Sequence, residues 1–122
     1  FNYLSDLELI SLYLKCFAVL MPTYVGHSVI PMYEAFYFKK NVFFTKGLAD
    51  DNLVKFLTEI DINDFTSVRT KYFEILNNLE VNQNKLKNAE LYYKDTLNEE
   101  NMAKSFIKIF EEYKYIKERW KN

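Results

Sequence analysis

Hydrophobic and polar positions follow two patterns along this chain, one typical of strands and one typical of helices. Three short apolar runs, at residues 17–21, 42–45 and 57–62, have the length and composition of buried strands. Helical patterns long enough to act as crossovers separate them, so we expect neighbouring strands in one mainly parallel sheet. The chain is therefore predicted to belong to the α/β class, with helices around the sheet.

The first helix has a clear start signal. Ser5 followed by Glu8 is a capping-box pattern, and Leu7, Ile10 and Leu14 then form one apolar stripe. Two further helices are predicted before the C-terminal one. One follows a cap at Asn63 or Asp64, and the other covers residues 80–96.

The C-terminal helix has the most regular pattern. Asn98 is its predicted cap, and its apolar positions recur at steps of four, three, four, three and four, at Met102, Phe106, Ile109, Tyr113, Ile116 and Trp120. This near-heptad spacing also occurs in coiled coils. Two and a half heptads fall short of the usual minimum, so we expect a packed surface helix.

Residues that break regular structure are concentrated between the first strand and the next helix. Both prolines and one of the two glycines lie in Pro22-Thr-Tyr-Val-Gly26-His-Ser-Val-Ile-Pro31. Proline suits the first turn of a helix, so the helix begins near the carboxyl end of the strand. Ligands bind at this end of open α/β sheets, because free N–H groups and the helix dipole attract anions. Glu34 lies about one turn into this helix and can reach back toward the loop.

Composition narrows the possible classes of function. Of the 122 residues, 49% are hydrophobic and 27% are charged, which favours a folded core over disorder. The net charge of −1 gives no electrostatic basis for nucleic-acid binding, and no apolar run approaches the ~20 residues that span a bilayer. Cys16 has no second cysteine for an internal disulfide, and the single histidine, His27, lacks companions for a metal site.

The loop and its flanks resemble the donor-binding region of family 4 glycosyltransferases, which have two facing Rossmann-like domains (the GT-B fold). The shared pattern over residues 22–35 is Pro-Thr-x-x-Gly-x-x-x-Ile-Pro-x-x-Glu-Ala. Similar flanking segments are Leu4-Ser-Asp-Leu-Glu-Leu-Ile-Ser-Leu-Tyr13, Asn41-Val-Phe-Phe-Thr45 and Thr58-Glu-Ile-Asp-Ile-Asn-Asp64. The resemblance implies a partial Rossmann-like domain at residues 1–96 that binds a nucleotide sugar, and a C-terminal helix at 97–122 that packs back on it.

The resemblance also implies that part of the enzyme is missing. A two-domain enzyme needs roughly 300 or more residues at typical domain sizes, whereas this chain has 122. Phe1-Asn-Tyr-Leu4 reads as the end of a strand. We therefore expect an N-terminal domain of the same polypeptide as a partner, and no activity from the 122 residues alone.

The resemblance implies roles for individual residues. The family's glutamate at the position of Glu34 accepts hydrogen bonds from the ribose hydroxyls of the donor, and a carboxylate has two oxygens for two hydroxyls. The loop backbone is expected to contact the diphosphate and the donor sugar, at Gly26, His27, Ser28, Val29 and Ile30. No catalytic residue is assigned within this chain, and no cofactor or metal is implied.

Two positions depart from the family pattern. Many members have a glutamate eight residues before the second one, where it contacts the donor sugar, and this chain has Gly26 there. In this respect the chain resembles a subgroup that reads Pro-Thr-Tyr-x-Gly-Pro-Thr-Asn-Ile-Pro. Lys40 occupies a position before the next strand where the family often has glycine.

The expected function is hexosyl transfer in polysaccharide biosynthesis. The donor is a nucleoside diphosphate sugar, the acceptor a glycan or lipid-linked molecule, and the reaction proceeds with retention. The expected location is the cytoplasm, with peripheral association at the inner face of the membrane as a further option. The alternative is a non-catalytic binding or scaffold domain of degenerate glycosyltransferase type, which Gly26 favours and Glu34 opposes. A purely helical interaction domain is disfavoured by the three strand-like runs.

Overall fold

The computed structural model describes residues 3–24 and 30–120 of the chain. Along these residues the elements are α1 Asp6–Lys15, β1 Ala18–Met21, α2 Ile30–Tyr37, β2 Asn41–Thr45, α3 Asp51–Val54, β3 Thr58–Ile60, α4 Phe65–Asn77, α5 Leu79–Thr96 and α6 Glu99–Arg119. The predicted α/β class is confirmed.

The three strands form one parallel sheet in the order β1-β2-β3. In the register, Ala18 lies opposite Asn41 and Phe43 lies opposite Thr58. The prediction of neighbouring parallel strands is confirmed, because α2 lies in the connection from β1 to β2 and α3 in the connection from β2 to β3, and both connections return the chain to the same end of the sheet.

The bounds of the first two strands agree with the prediction to within one residue, and two other strand predictions change more. The run at 57–62 forms only the short strand β3, because the next backbone N–H, at Asp61, donates to the Ser67 hydroxyl at 3.1 Å. The strand end expected at Phe1-Asn-Tyr-Leu4 is not formed at Tyr3 or Leu4. Phe1 and Asn2 lie outside the described residues.

The core lies on both faces of β2, whose residues are all buried. Successive side chains of a strand point to opposite faces. On one face Val42 and Phe44 belong to a cluster with residues of α2, α3 and α5, namely Met32, Ala35, Phe36, Leu53 and Ala89. On the other face Phe43 packs with Ile60 and with Ile75 of α4. Helices therefore cover both faces of the sheet, as is usual for parallel strands.

The predicted helix caps are formed. The Ser5 backbone N–H donates to Glu8 Oε2 at 2.8 Å, and the Glu8 N–H donates to Ser5 Oγ at 3.4 Å. Asp64 caps α4 by accepting from the Thr66 N–H at 2.9 Å. Asn98 caps α6 by accepting from the N–H three residues later at 2.8 Å. These bonds satisfy N–H groups that a helix start otherwise leaves unpaired.

Helix α2 ends in a Schellman motif. The Lys39 N–H donates to the Phe36 carbonyl at 3.1 Å, and the Lys40 N–H donates to the Ala35 carbonyl at 2.8 Å. Lys39 has a φ of 53°, in the left-handed region where glycine is favoured. The left-handed conformation that favours glycine thus lies at Lys39. The family pattern often has glycine one residue later, at the position of Lys40.

Helix α6 has no buried side chain. Its neighbour in the fold is α5, and the residues of its apolar stripe are all exposed, from 41% at Met102 to 87% at Trp120. The packing of residues 97–122 back on a domain therefore stays a prediction.

Candidate functional site

The carboxyl ends of the three strands are joined at one edge of the sheet. Thr23, after β1, donates its backbone N–H to Thr45 Oγ1 on β2 at 3.0 Å. Lys46, after β2, donates its backbone N–H to the Ile60 carbonyl on β3 at 3.0 Å. In open parallel sheets ligands bind outside the carboxyl ends of the strands, and Thr23 and Lys46 lie at these ends.

A groove of about 540 Å³ lies at this edge, within the usual range for small-molecule sites. It is lined by the last residues of β2 and β3 and by residues that follow the strands, at Tyr24, Thr45, Lys46, Gly47, Leu48, Ile60, Asp61, Ile62 and Asn63. The Tyr24 hydroxyl donates to Asn63 Oδ1 at 3.4 Å and closes one side of the groove. Lys46 is exposed there and supplies a positive charge.

Four of the five loop residues predicted to contact the donor lie outside the described residues. Gly26, His27, Ser28 and Val29 belong to this part, so their contacts with a donor stay predictions. Ile30 begins α2 and its side chain is 65% exposed. Within residues 3–24 and 30–120, no three His, Cys, Asp or Glu side chains are grouped as a metal site requires.

Glu34 is half-buried on α2. Its position is about 6 Å along the helix axis from Ile30, at 1.5 Å per residue. Its neighbours Ala35 and Phe36 are in the core, so Glu34 lies at the boundary between core and solvent. One carboxylate oxygen, Oε2, accepts a hydrogen bond from the Tyr13 hydroxyl at 2.6 Å. The predicted ribose-binding residue is thus held by a side chain from α1.

Tyr13 is the buried residue of α1, with 7% of its surface exposed. Its ring stacks on Phe38, with centroids 5.2 Å apart and planes inclined by 11°. Burial, and then the hydrogen bond to Glu34, raise the pKa of the Tyr13 hydroxyl. Tyr13 is therefore protonated at neutral pH and donates to Glu34, at a distance typical of a hydroxyl bonded to a carboxylate.

Sequence reasoning missed Tyr13 because α1 carries two apolar stripes. The predicted stripe, Leu7, Ile10 and Leu14, is exposed by 79%, 41% and 61%. Helical spacing fits a second set equally well, and this set lines a groove against β1, at Leu9, Leu12, Tyr13 and Cys16. Of these four only Tyr13 is buried, and Leu9 and Leu12 are exposed by 37% and 53%. In the sequence, the second stripe differs from the first in containing a tyrosine. The hydroxyl of a tyrosine needs a hydrogen-bond partner when the ring is buried.

Among the described residues, no helix has both the length and the apolar character needed to cross a membrane. The chain has no match among protein-family models, curated proteins or solved structures. The candidate site is therefore identified from geometry: a half-buried carboxylate on the helix that follows the first strand of a parallel sheet.

Proposed function

We propose that this chain is the nucleotide-sugar-binding part of a GT-B glycosyltransferase. The enzyme transfers a hexosyl group, with retention, from a nucleoside diphosphate sugar to a glycan or lipid-linked acceptor. The supporting observation is the position of Glu34, one turn into a helix that begins after the carboxyl end of β1. The sequence pattern of residues 22–35 that resembles the family lies on this same strand–loop–helix unit.

In this proposal Glu34 accepts hydrogen bonds from the two ribose hydroxyls. An ionised carboxylate has about four lone-pair positions, and Tyr13 uses one of them. The backbone N–H groups of the loop and of the α2 N-terminus bind the diphosphate. Stabilising the departing diphosphate is then the contribution of this half to catalysis, and the acceptor binds to the N-terminal domain.

A non-catalytic binding or scaffold domain of degenerate glycosyltransferase type is the second candidate. Gly26 favours it, because many family members have their first glutamate at this position. The Tyr13 hydrogen bond is also what a purely structural Glu34 needs, since it joins α1 to α2.

The variant Glu34→Gln separates the two candidates. Glutamine keeps a carbonyl oxygen for Tyr13, but it loses the charge and one of the two acceptor oxygens. A ribose role predicts weaker nucleotide binding, by at most about 1.5–3 kcal/mol for each charged hydrogen bond lost, with little change in the free energy of unfolding. Isothermal titration of the intact protein with UDP, GDP and ADP measures the affinity, and urea unfolding measures the stability.

Glu90→Gln is the matched control. Glu90 is also half-buried and accepts a hydrogen bond, from the Lys94 ammonium at 2.8 Å, but it lies on α5. This variant should bind nucleotides as the wild type does. If Glu34→Gln also binds every nucleotide normally, the ribose role fails and the scaffold function is favoured. A wild-type protein that binds none of the three nucleotides argues against donor binding altogether.

A further inference from the structure

Tyr13 and Glu34 differ in how firmly the fold holds them. The Tyr13 ring is buried and stacked on Phe38, and a tyrosine has only two side-chain torsions to fix. Its hydroxyl therefore occupies a defined place between α1 and α2. Glu34 is half-exposed and has three torsions, so without a partner its carboxylate would sample several rotamers.

The hydrogen bond removes part of this freedom. At 2.6 Å, the Tyr13 hydroxyl fixes the position of Glu34 Oε2 before any ligand is present. A binding group that is already ordered loses less conformational entropy when the ligand arrives, and this raises affinity. The bond uses one acceptor position of the carboxylate and leaves the others for further donors.

The ion pairs of the described residues also leave Glu34 available to a ligand. Among the ion pairs between described residues, none includes Glu34. Lys40, which follows α2 in the chain, donates its ammonium to the Leu14 carbonyl at 3.0 Å. Glu34 is held by a neutral hydroxyl, so its negative charge stays available to a ligand.

We propose that Tyr13 is a positioning residue, which orders the Glu34 carboxylate so that its remaining acceptor positions meet the two adjacent hydroxyls of a ribose. This inference rests on the proposed function. It adds a specificity: the pair recognises a ribose and discriminates against a nucleotide that lacks one of the hydroxyls.

The test is Tyr13→Phe in the intact protein, which keeps the ring and its stacking and removes only the hydroxyl. Isothermal titration with UDP, GDP and ADP is compared with titration of their 2′-deoxy counterparts. We expect Tyr13→Phe to bind the ribonucleotide about tenfold more weakly, which corresponds to about 1.4 kcal/mol. We also expect the preference for ribose over deoxyribose to shrink. This preference is a ratio measured on folded protein, so a change in stability alone does not move it.

Tyr33→Phe is the matched control. Tyr33 lies on the same helix as Glu34, and burial and then the neighbouring Tyr92 raise the pKa of its hydroxyl. Removing that hydroxyl should leave the ribose preference unchanged. In the Glu34→Ala background no side-chain acceptor is left for the Tyr13 hydroxyl to order, so Tyr13→Phe should cause little further loss.

The possible outcomes distinguish failure of the positioning role from failure of the proposed function. If Glu34→Gln weakens binding and Tyr13→Phe does not, donor binding stands and the positioning role is overturned. An equal loss from Tyr13→Phe in both backgrounds, or an unchanged ribose preference, also overturns it. A wild type that binds none of these nucleotides overturns the positioning role together with the proposed function.

Discussion

Lys39 gives a prediction whose sign depends on a single backbone angle. Its φ of 53° lies in the left-handed region, where a residue with a Cβ atom is strained by about 1–2 kcal/mol. Glycine removes this strain but has more backbone entropy to lose on folding, about 0.5–1 kcal/mol. We therefore expect Lys39→Gly to be more stable than Lys39→Ala by roughly 0.5–1 kcal/mol.

Comparing Lys39→Gly with Lys39→Ala removes the contribution of the lysine side chain from the difference in unfolding free energy. Lys39 forms an ion pair with Glu90 at 3.0 Å, and its side chain is 56% exposed. An exposed pair contributes about 0.2–1 kcal/mol, and both substitutions remove it equally. Glu90 keeps its second partner, Lys94, at 2.8 Å. The difference between the two variants then reports the backbone alone.

Urea unfolding followed by far-ultraviolet circular dichroism measures this difference. The same exchange one residue later is the control, because Lys40 lies outside the left-handed region. There the glycine variant should be less stable than the alanine variant. If Lys39→Gly is no more stable than Lys39→Ala, then α2 does not end in the left-handed turn described above.

Two further predictions concern the packing of the core and the dependence of the unfolding free energy on pH in acid. Phe44 is fully buried on β2, so Phe44→Ala should cost about 3–5 kcal/mol in urea unfolding and Phe44→Leu clearly less, and equal losses would contradict the packing. The Thr66 hydroxyl, and then its backbone N–H, lower the pKa of Asp64 in the fold. This stabilisation is therefore present above the unfolded pKa of about 3.9 and is lost as the pH falls through the lower folded value. Asp64→Asn should flatten the dependence of unfolding free energy on pH between about 2 and 5, and an unchanged slope would contradict the cap.

Much of the fold could be predicted from the sequence, because its strands and helix starts have local signals. A parallel strand covered on both faces reads as a continuous apolar run, as Asn41–Thr45 does. Capping side chains lie within three residues of the N–H groups that they bind, so Ser5, Asp64 and Asn98 could be recognised. The helical segment expected between the second and third strands is only the single turn α3, Asp51–Val54, and a single turn shows no periodicity from which its length could be predicted.

The site was predictable only in part. The position of Glu34 one turn into α2 followed from the loop before it. Its hydrogen bond with Tyr13 could not be predicted, because the two residues are 21 positions apart in the sequence. Helical periodicity predicts which side of a helix is buried, but it does not predict which residue of another helix lies opposite. The left-handed residue was also hidden, since a lysine gives no sign of a positive φ.

The contrast between β2 and α6 has a consequence for hydrogen exchange. Strand β2 pairs on both sides and is buried throughout, so its amides can exchange only when the sheet itself opens. The 21 residues of α6 bury no side chain, whereas helices in proteins owe most of their stability to the packing of an apolar face. Its amides exchange through fraying of the helix while the sheet stays closed. The chain therefore opens in at least two separate units, and one two-state free energy describes the sheet without describing the C-terminal helix.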